Sequence, residues 1–194
     1  MYLFKFLPVL TLFVYTGYVG HSIVQPKQLP GQASPSLTSK QQQLESICLA
    51  ELGVREHTGK NDGSRVEEYL RYTGLAKGQP WCASFVCWCL AKAGIPNPRS
   101  AWCPSLFQQG KIIYSSSDIN KPAARLQSGD VFGLWFPDKK RIAHVGFISS
   151  FKGKWVQTIE GNTNLAGSRE GDGVYAKRRL FSTLYKVARY VPDE

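Results

Sequence analysis

Apolar residues recur at helical spacing in three segments between Leu44 and Ala93, and from Val131 the chain changes to short runs of β-formers parted by Gly, Asp and Lys. A chain that places its helices first and closely spaced strands after them is expected to be α+β, with helices packed on a mainly antiparallel sheet. In the first segment Ser39 and Gln42 have the spacing of a capping box, and Leu44, Ile47, Cys48 and Leu52 follow at helical intervals up to Gly53. In the second, Ser64 and Glu67 repeat the pattern, Val66, Tyr69 and Leu70 supply an apolar face, and Gly74 is placed to end it. In the third, Cys82, Phe85, Val86, Cys89 and Ala93 share a face behind Pro80, and Gly94 and Pro96 stop the helix. A short helix is expected over 101–108, and strands over 131–136, 143–151, 155–160, 174–180 and 184–191. Asn61, Asp62 and Gly63 read as a turn, since a calcium loop needs more than one carboxylate.

Ahead of this folded part, residues 1–20 are apolar and aromatic, with Lys5 as the only charge. The run is short for a membrane-spanning helix and holds Pro8 and Gly17, so it reads as an export signal or a membrane-proximal anchor. Residues 21–38 are rich in Pro, Ser, Gln and Gly without periodicity, the composition of a flexible linker. The folded domain is expected over 39–194. Lys and Arg exceed Asp and Glu by 24 to 14, a net charge of +10 spread along the chain. Such a chain is attracted to polyanions. With no nucleic-acid motif and an apolar leader, an anionic cell envelope is the expected partner, nucleic acid is not, and membrane contact is expected only through residues 1–20.

The five cysteines, Cys48, Cys82, Cys87, Cys89 and Cys103, are odd in number, so at least one thiol is left over from internal disulfides. A catalytic thiol reacts as thiolate and needs a helix N-terminus or an imidazolium beside it. Cys82 stands at the start of the third helix, whereas Cys87 and Cys89 lie deeper, where the dipole has faded, and Cys48 is on the apolar face of the first helix. Cys103, between Trp102 and Pro104, is near another helix start and is not excluded by this argument. The Cys-x-Cys spacing of Cys87 and Cys89 does not match a zinc knuckle.

Of the three histidines, His21 falls in the linker and His57 in a loop, while His144 opens a strand. If the following hairpin turns around Gly153, antiparallel partners sum to about 304 or 305. A sum of 304 sets Glu160 opposite His144 on one face, where it can orient the imidazole; 305 turns it to the other face unless a bulge intervenes. Asn162, two residues on, can point to the same side as Glu160.

Five segments, GVREHTGKNDGSRVEEYL from Gly53, GQPWCASFVCWCLAKAGI from Gly78, SGDVFGLWF from Ser128, HVGFI from His144 and IEGNTN from Ile159, together resemble the CHAP family, the cysteine, histidine-dependent amidohydrolases and peptidases, within the papain-like thiol hydrolases that include the NlpC-type wall enzymes. The resemblance implies a papain-like fold with the nucleophile at a helix start. It implies Cys82 as nucleophile, His144 as base, and Glu160 and Asn162 as the polar residues completing the site. It further implies peptidoglycan amides as substrate, no cofactor and no metal, and the chain is expected to act as a monomer. Many relatives carry a Gln close to the nucleophile; here Gln79 lies three residues before Cys82 with Pro80 between, and the backbone N–H of Cys82 is the better oxyanion donor. Trp81, Trp102, Trp135 and Trp155 divide between the core and the rim of a groove. Two other functions use the same sequence: a wall-binding domain without chemistry, motivated by the basic charge, and an acyl transferase using the same thiol.

Overall fold

Thr38, one residue earlier than the spacing suggests, caps the first helix. In the computed structural model, which describes residues 38–117, 126–166 and 171–192, the Thr38 hydroxyl accepts from the Gln41 backbone at 3.2 Å and the Gln41 side chain accepts from the Thr38 N–H at 2.9 Å. The expected leader, and all of the expected linker but Thr38, lie outside the described residues. Helix α1, Ser39–Ala50, buries Gln41, Leu44 and Cys48. Its end before Gly53 leaves Leu52 beyond the helix and 37% exposed.

Helix α2, Ser64–Tyr72, presents Val66, Tyr69 and Leu70 to the core as its periodicity predicts. Its N-cap is Gly63, with no side-chain cap; Glu67 instead takes a long 3.4 Å bond from the Gly63 N–H, so the Ser64 capping box does not form.

Helix α3, Cys82–Lys92, differs from the one-faced helix expected: every residue from Cys82 to Leu90 is buried. The cause is its position, wedged between α1 and α2 on one side and the sheet on the other. Tyr69 stacks on Trp81 at 5.5 Å and meets Phe85 and Trp88 edge-on, and Phe85 in turn meets Phe147 at 6.2 Å. Gly161 makes this approach possible, because a Cβ there would lie 2.7 Å from both Phe85 and Trp81. The short helix expected at 101–108 is a 3-10 turn, Cys103–Leu106.

Among the described residues the sheet has six strands: β1 Ile112–Ser115, β2 Val131–Phe136, β3 Arg141–Lys152, β4 Trp155–Thr163, β5 Gly173–Leu180 and β6 Lys186–Ala188. Their spatial order is β1-β6-β2-β3-β4-β5 and every neighbouring pair is antiparallel. The α+β class with helices on an antiparallel sheet is thus what the chain adopts. Strand β1 is not among the strands expected from the sequence. It is a four-residue edge strand, half-buried throughout, too short to show alternation. Asp130 of the Ser-Gly-Asp segment is buried and anchors the start of β2 to Arg189 at 2.9 Å, a structural pairing away from the thiol. Among the described residues no helix is long and apolar enough to cross a membrane.

Candidate active site

Cys82 is the first residue of α3, directly after the N-cap Trp81, so the free N–H groups of the first turn surround its backbone. The loop that delivers it is tied down. Trp81 donates its indole N–H to Glu56 at 2.9 Å, Glu56 also accepts from the Asn61 backbone at 2.8 Å, and Gly78 donates to the Asn61 carbonyl at 2.9 Å. The neighbouring Asp62 is spent on the turn, accepting from the Thr58 backbone and hydroxyl at 2.9 and 2.7 Å, as the turn reading of Asn61 to Gly63 requires. Gln79 is exposed, and His57 is exposed in the same loop.

His144 and Glu160 meet across the β3–β4 hairpin, with Nε2 of the imidazole 2.8 Å from a carboxylate oxygen. The register that brings them together is neither of those anticipated. Near the turn the partners are Lys152 with Trp155 and Phe151 with Val156, a sum of 307, which is odd and would turn Glu160 away from His144. A bulge between Ile148 and Ser150 shifts the pairing to Phe147 with Ile159, a sum of 306. The even parity returns Glu160 to the face of His144. The carboxylate then reaches diagonally along that face.

Glu160 is fully buried and holds its charge with more help than the sequence reveals. Arg179 of β5 grips both its oxygens at 2.6 and 2.5 Å, and the Thr158 hydroxyl donates to it at 2.5 Å. Burial pushes the carboxyl up, but Arg179 and then His144 overcome it and hold Glu160 down at about 2. Burial also opposes the charge on His144, yet its contacts with Cys82 and Glu160 prevail and push it up to about 9. With Nε2 engaged by Glu160, Nδ1 is the nitrogen left for the thiol.

Electrostatics sort the five thiols, all of them buried and unbridged. Cys82 alone is held well below the usual thiol range: the thiol of Cys103, its sulfur 3.6 Å away, is the largest influence, burial opposes it, and His144 and the Val145 N–H add to it. Cys87, bonded to the Ser100 carbonyl, is pushed up to about 11 by burial; Cys89, facing Cys48, is raised by burial and by that neighbour. Cys103 is raised by its bond to Cys82 and by burial. Among the described residues no cluster of these or other side chains is arranged to hold a metal ion.

Asn162 lies two residues beyond Glu160 in β4. It occupies the left-handed region at φ 52 in the irregular stretch where the β4–β5 register slips, and among the described residues it makes no hydrogen bond to Cys82, His144 or Glu160. The sequence reading missed Arg179 and the contact of Cys103 with Cys82. Arg179 carries no local signal, while Cys103 has one in its position before Pro104. Of the tryptophans, Trp81 is fully buried, whereas Trp102 is 51% exposed under the Arg141 guanidinium, one residue from Cys103.

Compared with known proteins, residues 74–162 match the CHAP domain family. Among solved structures, the chain is similar to an NLP/P60-family protein described as similar to lipoprotein, from Staphylococcus aureus, at 17% identity and a TM-score of 0.44, over 84% of this chain and 46% of that one. The chain thus spans about half the length of that protein. No curated protein matches it. The segment that matches the CHAP domain family holds Cys82, His144, Glu160 and Asn162.

Proposed function

We propose that this protein hydrolyses amide bonds of peptidoglycan through a thioester on Cys82. The observation that carries the reading is the buried relay from Cys82 through His144 and Glu160 to Arg179, in which Cys82 is the one thiol lowered. With the thiol lowered and the imidazole raised to about 9, the resting pair is thiolate and imidazolium. The thiolate attacks the amide carbonyl, and backbone N–H groups at the start of α3 receive the oxyanion. His144 then gives its proton to the leaving amine as the C–N bond breaks. Water, deprotonated by His144, cleaves the thioester and returns the thiolate. Glu160 orients the imidazole and stays ionised throughout, because Arg179 neutralises it. No step calls on a metal or cofactor.

The substrate class rests on the match to the CHAP domain family and is supported by the net charge of +10 and by exposed Trp102, next to Cys103, with the Arg141 guanidinium over its ring, which suits an anionic glycopeptide. The bond cut is either the N-acetylmuramoyl-L-alanine amide or an amide of the stem peptide or cross-bridge. Residues 1–20 act as an export signal or anchor and 21–38 as a linker, placing the catalytic domain in the cell envelope or outside it. The test is digestion of purified peptidoglycan followed by mass spectrometry of the new termini. Soluble muropeptides from the native chain and none from Cys82→Ala, with binding to the polymer retained, are expected. Undiminished release by Cys82→Ala overturns the proposal, as does transfer to an added amine in preference to water.

A further inference from the structure

We propose that Cys103 is a second hydrogen-bond donor to the Cys82 sulfur, sharing with His144 the task of keeping the nucleophile ionised. This rests on the reading of Cys82 as nucleophile and adds a residue that the reaction scheme leaves unused. The two sulfurs lie 3.6 Å apart, and the residues are only 6% and 4% exposed, so water competes little for either. Two thiols this close do not both ionise; one keeps the proton and donates it to the other.

The surroundings decide which. Cys82 sits at the N-terminus of α3, faces the His144 imidazole from β3 and receives the Val145 N–H. Glu160 of β4 and Arg179 of β5 act on it only through His144. Cys103 has the Arg141 charge of β3 in its neighbourhood but no imidazole. The negative charge therefore resides on Cys82, and Cys103 carries the proton that points at it.

The backbone around Cys103 is built to hold this position. Cys103 opens the 3-10 turn with Pro104 next to it. Trp102 is fixed by its N–H to the Ser100 hydroxyl at 3.1 Å, Ser105 donates to the Trp102 carbonyl at 2.9 Å, and the buried Tyr190 hydroxyl donates to the Leu106 carbonyl at 2.9 Å. The turn is thus tied at both ends. A thiol that served only to fill space would not need to face the nucleophile's sulfur.

The test is the pH dependence of Cys82 alkylation by iodoacetamide in the full chain, read peptide by peptide by mass spectrometry, for the native protein and for Cys103→Ala, Cys103→Val and Cys103→Ser. Valine fills the space without a donor, and serine keeps one. In the Ala and Val variants the midpoint for Cys82 is expected to rise by about one unit, which is roughly tenfold less thiolate at a given pH below it. The Ser variant is expected to stay within a few tenths of the native midpoint, on the order of a twofold change. An unmoved midpoint in whichever of Ala and Val melts as a folded protein overturns the proposal, and so does a Ser variant shifted as far as Ala. Alkylation needs no substrate, so failure of native muropeptide release alongside the expected midpoints counts against the hydrolase reading and not against this one.

Discussion

A Cβ on Gly146 would lie 2.9 Å from Cγ of Glu160: the glycine is the gap through which the carboxylate leans along β3 to reach His144. Phe132 and the Ile159 carbonyl close the same space at 2.9 Å, so no neighbour can yield. Gly146→Ala is therefore expected to push Glu160 off the imidazole. Activity should fall at least about tenfold, and overpacking should cost about 1–3 kcal/mol. Muropeptide release and denaturant unfolding measure the two effects, and a fully active, equally stable variant contradicts the assignment of Glu160.

Arg179→Met removes the charge that neutralises a fully buried carboxylate while keeping much of the side-chain volume. Losing one partner of a buried pair leaves the other charge exposed to its own desolvation, and stability should drop by on the order of 3 kcal/mol. His144 remains bonded to Glu160 at 2.8 Å, so some activity should survive. Chemical denaturation of Arg179→Met against Arg179→Lys, which keeps a charge, reads the effect; identical midpoints for native and Met proteins would show that the grip on Glu160 is not needed.

Stability should depend little on pH just below 9, where His144 and Cys82 act in opposite senses. His144 is raised from 6.5 to about 9, so its contribution is full below 6.5 and is lost as pH climbs to 9. Cys82 is lowered from 9.0, so its contribution grows as pH rises towards 9 and opposes the His144 slope, because the folded ion pair and the unfolded neutral pair hold equal numbers of protons. Below 4.5 the contribution of Glu160 is lost progressively down to about 2, so acid destabilises. Above 9 the raised thiols of Cys87, Cys89 and Cys103 lose their contributions and stability falls again. Denaturant midpoints across this range check the plateau. In Cys82→Ala the compensation is gone, and the plateau should shorten.

Trp102 is the exposed aromatic closest in sequence to the site, and its ring carries the Arg141 guanidinium at 4.1 Å. Trp102→Ala should leave the melting temperature unchanged, since half the residue is in water, and should raise KM for polymeric substrate several-fold with kcat within about twofold, the signature of lost uniform binding. An unaltered KM would place the substrate elsewhere.

Much of the site is legible in the sequence because its signals are local. Pro80, the apolar run from Cys82 and the stop at Gly94 define α3 and put the thiol at its start within one sequence segment. Strands β2 and β5 fall within a residue of the alternating runs that predict them. The hairpin that joins His144 to Glu160 is legible too, but its register is not, because parity depends on the bulge between Ile148 and Ser150, which no residue pattern announces.

The chain's sequence by itself determined the helix-then-strand order and the positions of Cys82 and His144, since periodicity, caps and turns act over a few residues. Only the tertiary structure decided that Glu160 faces His144, that Arg179 from the next strand neutralises it, and that Cys103 and not Cys87 or Cys89 meets Cys82. Those outcomes depend on which distant side chains share a buried space, and there the cost of an unpaired charge or thiol selects the partner.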